Sequence, residues 1–272
     1  MNGRACTLGL RLLAVGLSVA TVVLPADSAA CKTESRTAPR LSGSWEVVHV
    51  AVDARDQPHW YYRPDDPRLL GRELVIDESR VHLSGGSLDC NEAHWKSRKT
   101  SWGQLLGKSF RRSPNPSVAA LPSPADFGST VAKGAIVSVN SLSCAQPAAS
   151  RGKPWANAWF VMQGPDTLAL RLDSSALLML VRRAATAKPR ASFDCAAAST
   201  ATERALCSRT DLAGLDRSVS AAYSDALERQ PEAALRLREE QTAWLGTRDS
   251  CGADATCLED KMTQRIDELV QQ

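Results

Sequence analysis

The residues of this 272-residue chain best placed to do chemistry are its cysteines, at positions 6, 31, 90, 144, 195, 207, 251 and 257. Cys6 lies in a segment that reads as a removable export signal. Arg4 and Arg11 carry positive charge, Leu12 to Leu24 is almost wholly apolar, Pro25 breaks the run, and Ser28-Ala29-Ala30 offers a small-residue cleavage site. The apolar run falls short of the roughly 20 residues a membrane-spanning helix takes. Cleavage after residue 30 leaves Cys31 at the new terminus as a lipidation candidate, with Ser28 where a lipoprotein signal usually carries leucine. The six remaining cysteines, Cys90, Cys144, Cys195, Cys207, Cys251 and Cys257, are an even set in an exported chain, so three disulfides are expected. Proximity favours Cys195–Cys207, Cys251–Cys257 and Cys90–Cys144, while long-range bridges between the two C-terminal pairs stay open.

Other side chains form no reactive set. His49, His59, His82 and His94 include no H-x-x-x-H pair, and Cys90-x-x-x-His94 is too few ligands for a structural zinc site, its cysteine being better used in a disulfide. There is no G-x-S-x-G elbow and no phosphate-binding loop. Glu239-Glu240 reads as a solvated helix surface rather than an acid/base pair. No catalytic residue, no metal and no cofactor is expected, and the chain reads as a binding protein rather than an enzyme. Trp60-Tyr61-Tyr62, in a polar proline-containing stretch, either folds over one end of the β region or forms an aromatic contact surface.

The elements that must position these residues fall into two regions. The first half predicts short strands over Trp45–Val52, Leu74–Ile76, Val81–Leu83, Ala135–Val139, Ala158–Met162, Thr167–Leu172 and Leu177–Val181, with Gln163-Gly164-Pro165-Asp166 as a turn. An antiparallel barrel or sandwich over residues 31–183 follows. Residues 111–130, with four prolines, predict a long loop. Residues 184–191 (AATAKPRA) read as a linker. Beyond it, residues 192–272 read as about four helices in a disulfide-stapled bundle, an α+β chain of two domains in all. Thr200-x-x-Glu203 is a capping box, Thr210 caps a longer helix, Pro231 opens a third and Asp254 a fourth. Leu212, Leu215, Val219, Ala222, Tyr223, Ala226 and Leu227 face inward on the second, Ala234, Leu237, Gln241, Trp244 and Leu245 on the third, and Leu258, Met262, Arg265, Ile266 and Leu269 on the fourth.

Charge divides along the same line. Residues 191–272 hold 9 Lys+Arg against 15 Asp+Glu, a net of −6. The chain is +3 overall and residues 1–30 contribute +1, which leaves +8 on residues 31–190. Such a charge split bears on partners rather than fold. The acidic region suits a basic protein, and the basic region suits peptidoglycan-associated polymer or a membrane surface. The aromatic and basic stripe of a nucleic-acid reader is missing.

Two resemblances follow from particular strings. Leu41-Ser42-Gly43-Ser44-Trp45 resembles the Gly-x-Trp opening of lipocalin-like barrels, which implies a periplasmic ligand-binding module. The helical half resembles the LprI-type lysozyme-inhibitor domain. The matching residues are Phe193-Asp194-Cys195, Cys207, Leu212-x-x-Leu215-Asp216, Tyr223, Gln241-x-x-Trp244-Leu245-x-x-Arg248-Asp249-x-Cys251, Cys257-Leu258 and Arg265-Ile266-x-x-Leu269, with Met262 where the family often has an aromatic. The resemblance implies a periplasmic or secreted envelope protein, lipid-anchored if Cys31 is acylated, whose partner is lysozyme. Arg248, Asp249 and Lys261 are the candidates for that contact, and Arg248-Asp249 equally suits an internal ion pair.

Overall fold

A computed structural model describes residues 40–53, 61–85, 88–110, 121–144, 155, 157–172 and 176–272. The export signal, Cys31, Trp60 and the first half of the proline-rich loop lie outside them. The described residues form nine strands, most of them from alternating apolar residues: β1 (Gly43–Ala51), β2 (Glu73–Ile76), β3 (Arg80–Leu83), β4 (Leu88–Asn91), β5 (His94–Ser101), β6 (Ile136–Ser143), β7 (Trp159–Met162), β8 (Thr167–Arg171) and β9 (Leu177–Arg182). They form one antiparallel sheet in the order β4-β3-β2-β1-β9-β8-β7-β6-β5. The parity of that order makes β4 and β5 run in the same direction, and only Glu92 and Ala93 separate them. They are two halves of one strand, bent where Glu92 takes φ 50°. One half pairs with β3 and the other with β6, so the sheet curls and closes on itself. The Cys90–Cys144 disulfide ties β4 to the end of β6 across the bend.

Alternation along the strands sends one set of side chains inward and another outward. Trp45, Leu74, Val81, Trp95, Leu142, Phe160, Leu168 and Leu178 fill the interior. Trp159, Val161, Ala169 and Leu177 point outward and are covered by α1 (Trp102–Ser109), Phe110 and Phe127. At the start of the barrel the Arg182 guanidinium stacks over Trp45 at 4.0 Å and donates to the Ser42 and Arg40 carbonyls, closing the last strand onto the first. β4, β5 and α1 carry no sequence signal of the kind used above. Lys96 to Lys99 are all exposed and show no apolar alternation, and α1 contains two glycines in eight residues.

The helical region comprises α2 (Ala201–Ser208), α3 (Thr210–Arg229), α4 (Ala234–Asp249) and α5 (Ala255–Gln271). Thr200 and Glu203 form the capping box of α2, and Asp254 caps α5 through the Cys257 N–H. Thr210 does not cap α3. Its hydroxyl instead donates to Glu73 on β2 at 2.7 Å, and the Asp211 carboxylate accepts from the Leu212 N–H. Pro231 opens a short 3-10 turn that leads into α4. Cys195–Cys207 holds the start of the region against α2, and Cys251–Cys257 closes the turn between α4 and α5.

Candidate functional site

The helical region packs on a core of Leu206, Leu212, Leu215, Val219, Leu237, Leu258, Met262 and Ile266. Each helix contributes differently. On α5 the apolar residues recur at helical spacing and Leu258, Met262, Arg265, Ile266 and Leu269 are all buried. On α3 burial extends past the apolar stripe to Gly214, Asp216 and Ser218, because this helix has two covered faces. One faces α5. The other lies against the barrel, where Gly214 meets Gly71 so closely that an added Cβ on Gly214 would sit 2.1 Å from the Gly71 carbonyl oxygen. Gly71 itself has φ +76°, a conformation that favours glycine. Around this contact Ser218 donates to the Leu70 carbonyl, Glu46 bridges Arg183 and Arg217, and Arg63 pairs with Asp225. On α5, Glu259 accepts from the Gly85 N–H at 2.7 Å. Residues 184–191 are pinned at both ends, since Arg183 donates to the Lys188 carbonyl and Arg217 to that of Arg190.

On α4 the inward set is shorter than the sequence predicts. Only Leu237 and Arg248 are buried; Trp244 is half-buried and Leu245 is 36% exposed. Arg248 is 7% exposed. Its guanidinium bonds to Asp216 of α3 at 3.3 Å and Asp249 at 2.9 Å, and lies 5.6 Å from the Trp244 ring centre. Asp216 also accepts from the Ser192 N–H, so one buried carboxylate ties the entry of the region, α3 and α4 together. Arg248 is therefore committed inside the domain. Asp249 keeps an exposed side chain and Lys261 is half-buried on α5.

A groove of about 640 Å³ runs between α5 and the β3–β4 hairpin. Its walls carry five carboxylates, Asp89, Glu259, Asp260, Asp267 and Glu268, with His82 opposite. His82 and Arg80 both bond to Asp89 at 2.9 Å, and these bonds hold the Asp89 carboxyl below its ordinary range against the opposing effect of partial burial. This groove gives the helical region's negative charge a location. Lined by residues from both halves of the chain, it has no counterpart in the sequence reading.

In the β region, Tyr61 is 67% exposed and stands edge-on to Tyr62, which packs on the barrel core. The Arg68 guanidinium lies 4.7 and 5.2 Å from the two ring centres and is anchored by the fully buried Asp66. Burial alone would raise the Asp66 carboxyl; hydrogen bonds from the Arg68 side chain and from the Arg68 and Arg63 N–H groups outweigh it and hold the carboxyl low. Trp155 and Phe160 are interior, whereas Trp159 is on the outer face and donates to Ser109, so the three do not line one pocket. His94 is exposed beside the disulfide-bonded Cys90. Among the described residues no group of three or more His, Cys, Asp or Glu could hold a metal ion, and no helix is long and apolar enough to cross a membrane.

Neither a curated protein nor a solved structure matches the chain, so the lipocalin-like resemblance of the first strand gains no support. Residues 195–269, from the first cysteine of the helical region to the last buried leucine of α5, match the family described as Lysozyme inhibitor LprI, so the disulfide-stapled helical region is similar to that family.

Proposed function

We propose that this chain is an exported bacterial envelope protein that binds and inhibits lysozyme and so protects peptidoglycan. The observation that carries the reading is the match of residues 195–269 to the inhibitor family. Three further features support it. The N-terminal 30 residues have the pattern of an export signal, and disulfides of the kind seen here persist in oxidising compartments. The net charge of −6 on residues 191–272 would speed encounter with a basic enzyme. The domain is stapled and docked on the barrel, so little conformational entropy is lost on binding. Residues 31–183 and 192–272 serve as its two domains, joined by 184–191. The basic barrel faces anionic cell-wall polymer or a membrane surface, with Cys31 as a lipid anchor. Asp249 and Lys261 contribute to the partner contact.

The experiment is an assay of the whole chain, exported by its own signal in an oxidising host and added to peptidoglycan suspensions with lysozymes of several classes. Dose-dependent protection that disappears on reduction of the disulfides is expected. Absence of protection against every class would overturn the reading. Mass spectrometry of the mature N-terminus reports cleavage and any acyl group on Cys31.

A second reading, that the barrel holds a small ligand, draws on one observation. Among the described residues, the indole N–H groups of Trp95 and Trp155 are buried without an acceptor, whereas those of Trp45, Trp102 and Trp159 each have one. A buried unmatched donor costs about 1–3 kcal/mol, so an acceptor atom in the interior would be stabilising. A ligand co-purifying with the barrel, with a tryptophan fluorescence change on its removal, is the outcome that would favour this reading over inhibition.

A further inference from the structure

The inhibitor reading leaves open which surface meets the enzyme, and the docking of the domain narrows it. The barrel covers one face of α3 through Gly71, Leu70 and Glu46 and approaches α5 at Glu259. The helix left most open is α4, which buries two of its sixteen residues. Taking Leu237 as the inward reference at 100° per residue, Leu245, Arg238, Asp249, Thr242 and Leu235 fall at successive angles along one flank. Leu235 is 71% exposed, Arg238, Thr242 and Asp249 are exposed, and Leu245 stands at 36%. Two large apolar side chains thus frame an exposed cation on a helix that gives little to its own core.

The cation is unusual within the domain. Of the nine basic residues in 191–272, six are held by carboxylates: Arg209 by Asp211, Arg217 by Glu46, Arg229 by Asp225, Arg236 by Glu240, Arg248 by Asp216 and Asp249, and Arg265 by Glu268. Arg204 donates to the Ser199 carbonyl. Among these nine, all within the described residues, only Arg238 and Lys261 have neither an ion pair nor a side-chain hydrogen bond. Lys261 lies one turn before Arg265, whose Nε donates to Gln241 of α4, so the two free cations belong to the same α4–α5 side of the bundle. In a domain of net −6, keeping two cations unpaired on one side leaves them available to an outside carboxylate.

We infer that this α4 flank enters the catalytic cleft of lysozyme, with Arg238 as the residue that meets the enzyme's carboxylate pair. The inference rests on the inhibitor reading. A glycoside hydrolase cleft is built around two carboxyl groups, one of which must stay ionised during the reaction. A guanidinium placed there is electrostatically matched and can bind a carboxylate through two parallel hydrogen bonds. Leu235 and Leu245 supply the apolar contact that anchors such a pair, and Lys261 adds charge at the rim. The acidic groove between α5 and the β3–β4 hairpin is left to attract the enzyme's basic outer surface and to orient the approach.

The test uses the full exported chain. Arg238→Glu should raise the half-inhibitory concentration at least about tenfold, the scale on which truncating or reversing one partner of a desolvated charge pair acts. Arg238→Lys should retain part of the inhibition, and Leu235→Asp should weaken it. Arg236→Glu, on the opposite flank, should leave it unchanged. Each variant's circular dichroism and melting temperature should match wild type, because the replaced side chains touch nothing in the core. A short chitin oligomer that fills the cleft should compete with the chain for the enzyme. If wild type inhibits while Arg238→Glu inhibits equally well, or if the oligomer and the chain bind together, the flank assignment is wrong and the inhibitor reading stands. If wild type inhibits no lysozyme, both fall.

Discussion

Helices α3 and α4 belong to the same small bundle and are used in opposite ways. α3 buries nine of its twenty residues, among them Ala213, Gly214, Asp216 and Ser218, which no apolar periodicity would select. α4 buries two of sixteen, and one of those is an arginine. The difference comes from what lies outside the bundle. α3 has a second partner, the barrel, and needs small or hydrogen-bonded residues on that side to let two backbones approach. α4 has none among the described residues and stays attached through Leu237, half-buried Trp244, the Arg248–Asp216 pair and the Gln241–Arg265 hydrogen bond. A helix held by so few contacts is poor architecture and a reasonable surface to offer a partner.

Two arginines ten positions apart on α4 give the sharpest way to break that comparison. Arg248→Ala would strand the Asp216 carboxylate, whose side chain is 5% exposed, without its cation. Removing one member of a buried pair costs about 3–5 kcal/mol. Arg238→Ala removes an exposed side chain with no partner and should change stability by no more than about 0.5 kcal/mol. Urea unfolding of the two variants checks the contrast. Equal midpoints would mean that Arg248 is no more structural than Arg238.

The barrel-facing side of α3 is probed by Gly214→Ala. The new methyl would meet the Gly71 carbonyl oxygen at 2.1 Å, and neither backbone can yield without shifting a helix or a turn. A loss of about 2–3 kcal/mol is expected, as for overpacked sites, with a fall in Tm of about 2–4 °C per kcal/mol for a chain of this size. Gly246→Ala, on α4 with open space around its Cβ position, should be neutral or stabilising. A calorimetric scan in which Gly214→Ala melts like wild type would remove the backbone contact from the account.

These contrasts also mark what a single sequence can reveal. The strands, the α2 capping box, the Asp254 cap and the inward face of α5 are written in local pattern, because each depends on residues a few positions apart. The same is true of the three disulfides, whose partners are the nearest available in sequence. The bent β4–β5 strand is not legible: from Lys96 to Ser101 it is polar on both faces, and its strand character comes from pairing with β6. Thr210 looks like a cap and serves Glu73 instead, a residue on another element. Leu245 looks like a core residue because periodicity knows nothing of how wide the core is. Gly214, Ser218 and Arg217 owe their roles to the barrel, and nothing in their neighbourhood along the chain announces it. Of the proposed partner contacts, Lys261 and Asp249 are accessible. Arg248 is spent internally, and Arg238, one helix turn upstream of Thr242, carries no motif at all.

The disulfides set the barrel against the bundle on a smaller scale. Cys90–Cys144 closes a loop of sequence separation 54, and Cys251–Cys257 one of 6. In the chain-entropy account the longer loop restrains the unfolded state more, by about 2 kcal/mol for this ratio. The Cys90→Ala/Cys144→Ala variant should therefore lose more stability than Cys251→Ala/Cys257→Ala. The reverse order in denaturant titrations would show that the small bundle depends on its staple for native packing rather than for chain entropy.

The smallest effect expected is at the entry to α2, which has no counterpart at α4, where no side chain caps the N-terminus. The Glu203 carboxylate accepts from the Thr200 and Ser199 N–H groups and from the Ser199 hydroxyl, and these bonds pull its pKa from 4.5 down to about 2. A carboxyl depressed in the folded state adds stability that is fully present above its unfolded pKa and is lost as pH falls through its folded one. The window is therefore from about 4.5 down to about 2. Because the group is fully exposed, its effect should be confined to fraying of the first turn rather than to global unfolding. The protection factors of the Thr200 and Ser199 amides, measured against intrinsic exchange at each pH, should fall across that window while those in α5 hold. Glu203→Gln keeps an acceptor but cannot titrate, so its protection factors at these two amides should be flat with pH. A wild-type profile as flat as that of the variant would mean that the capping box does not form in solution.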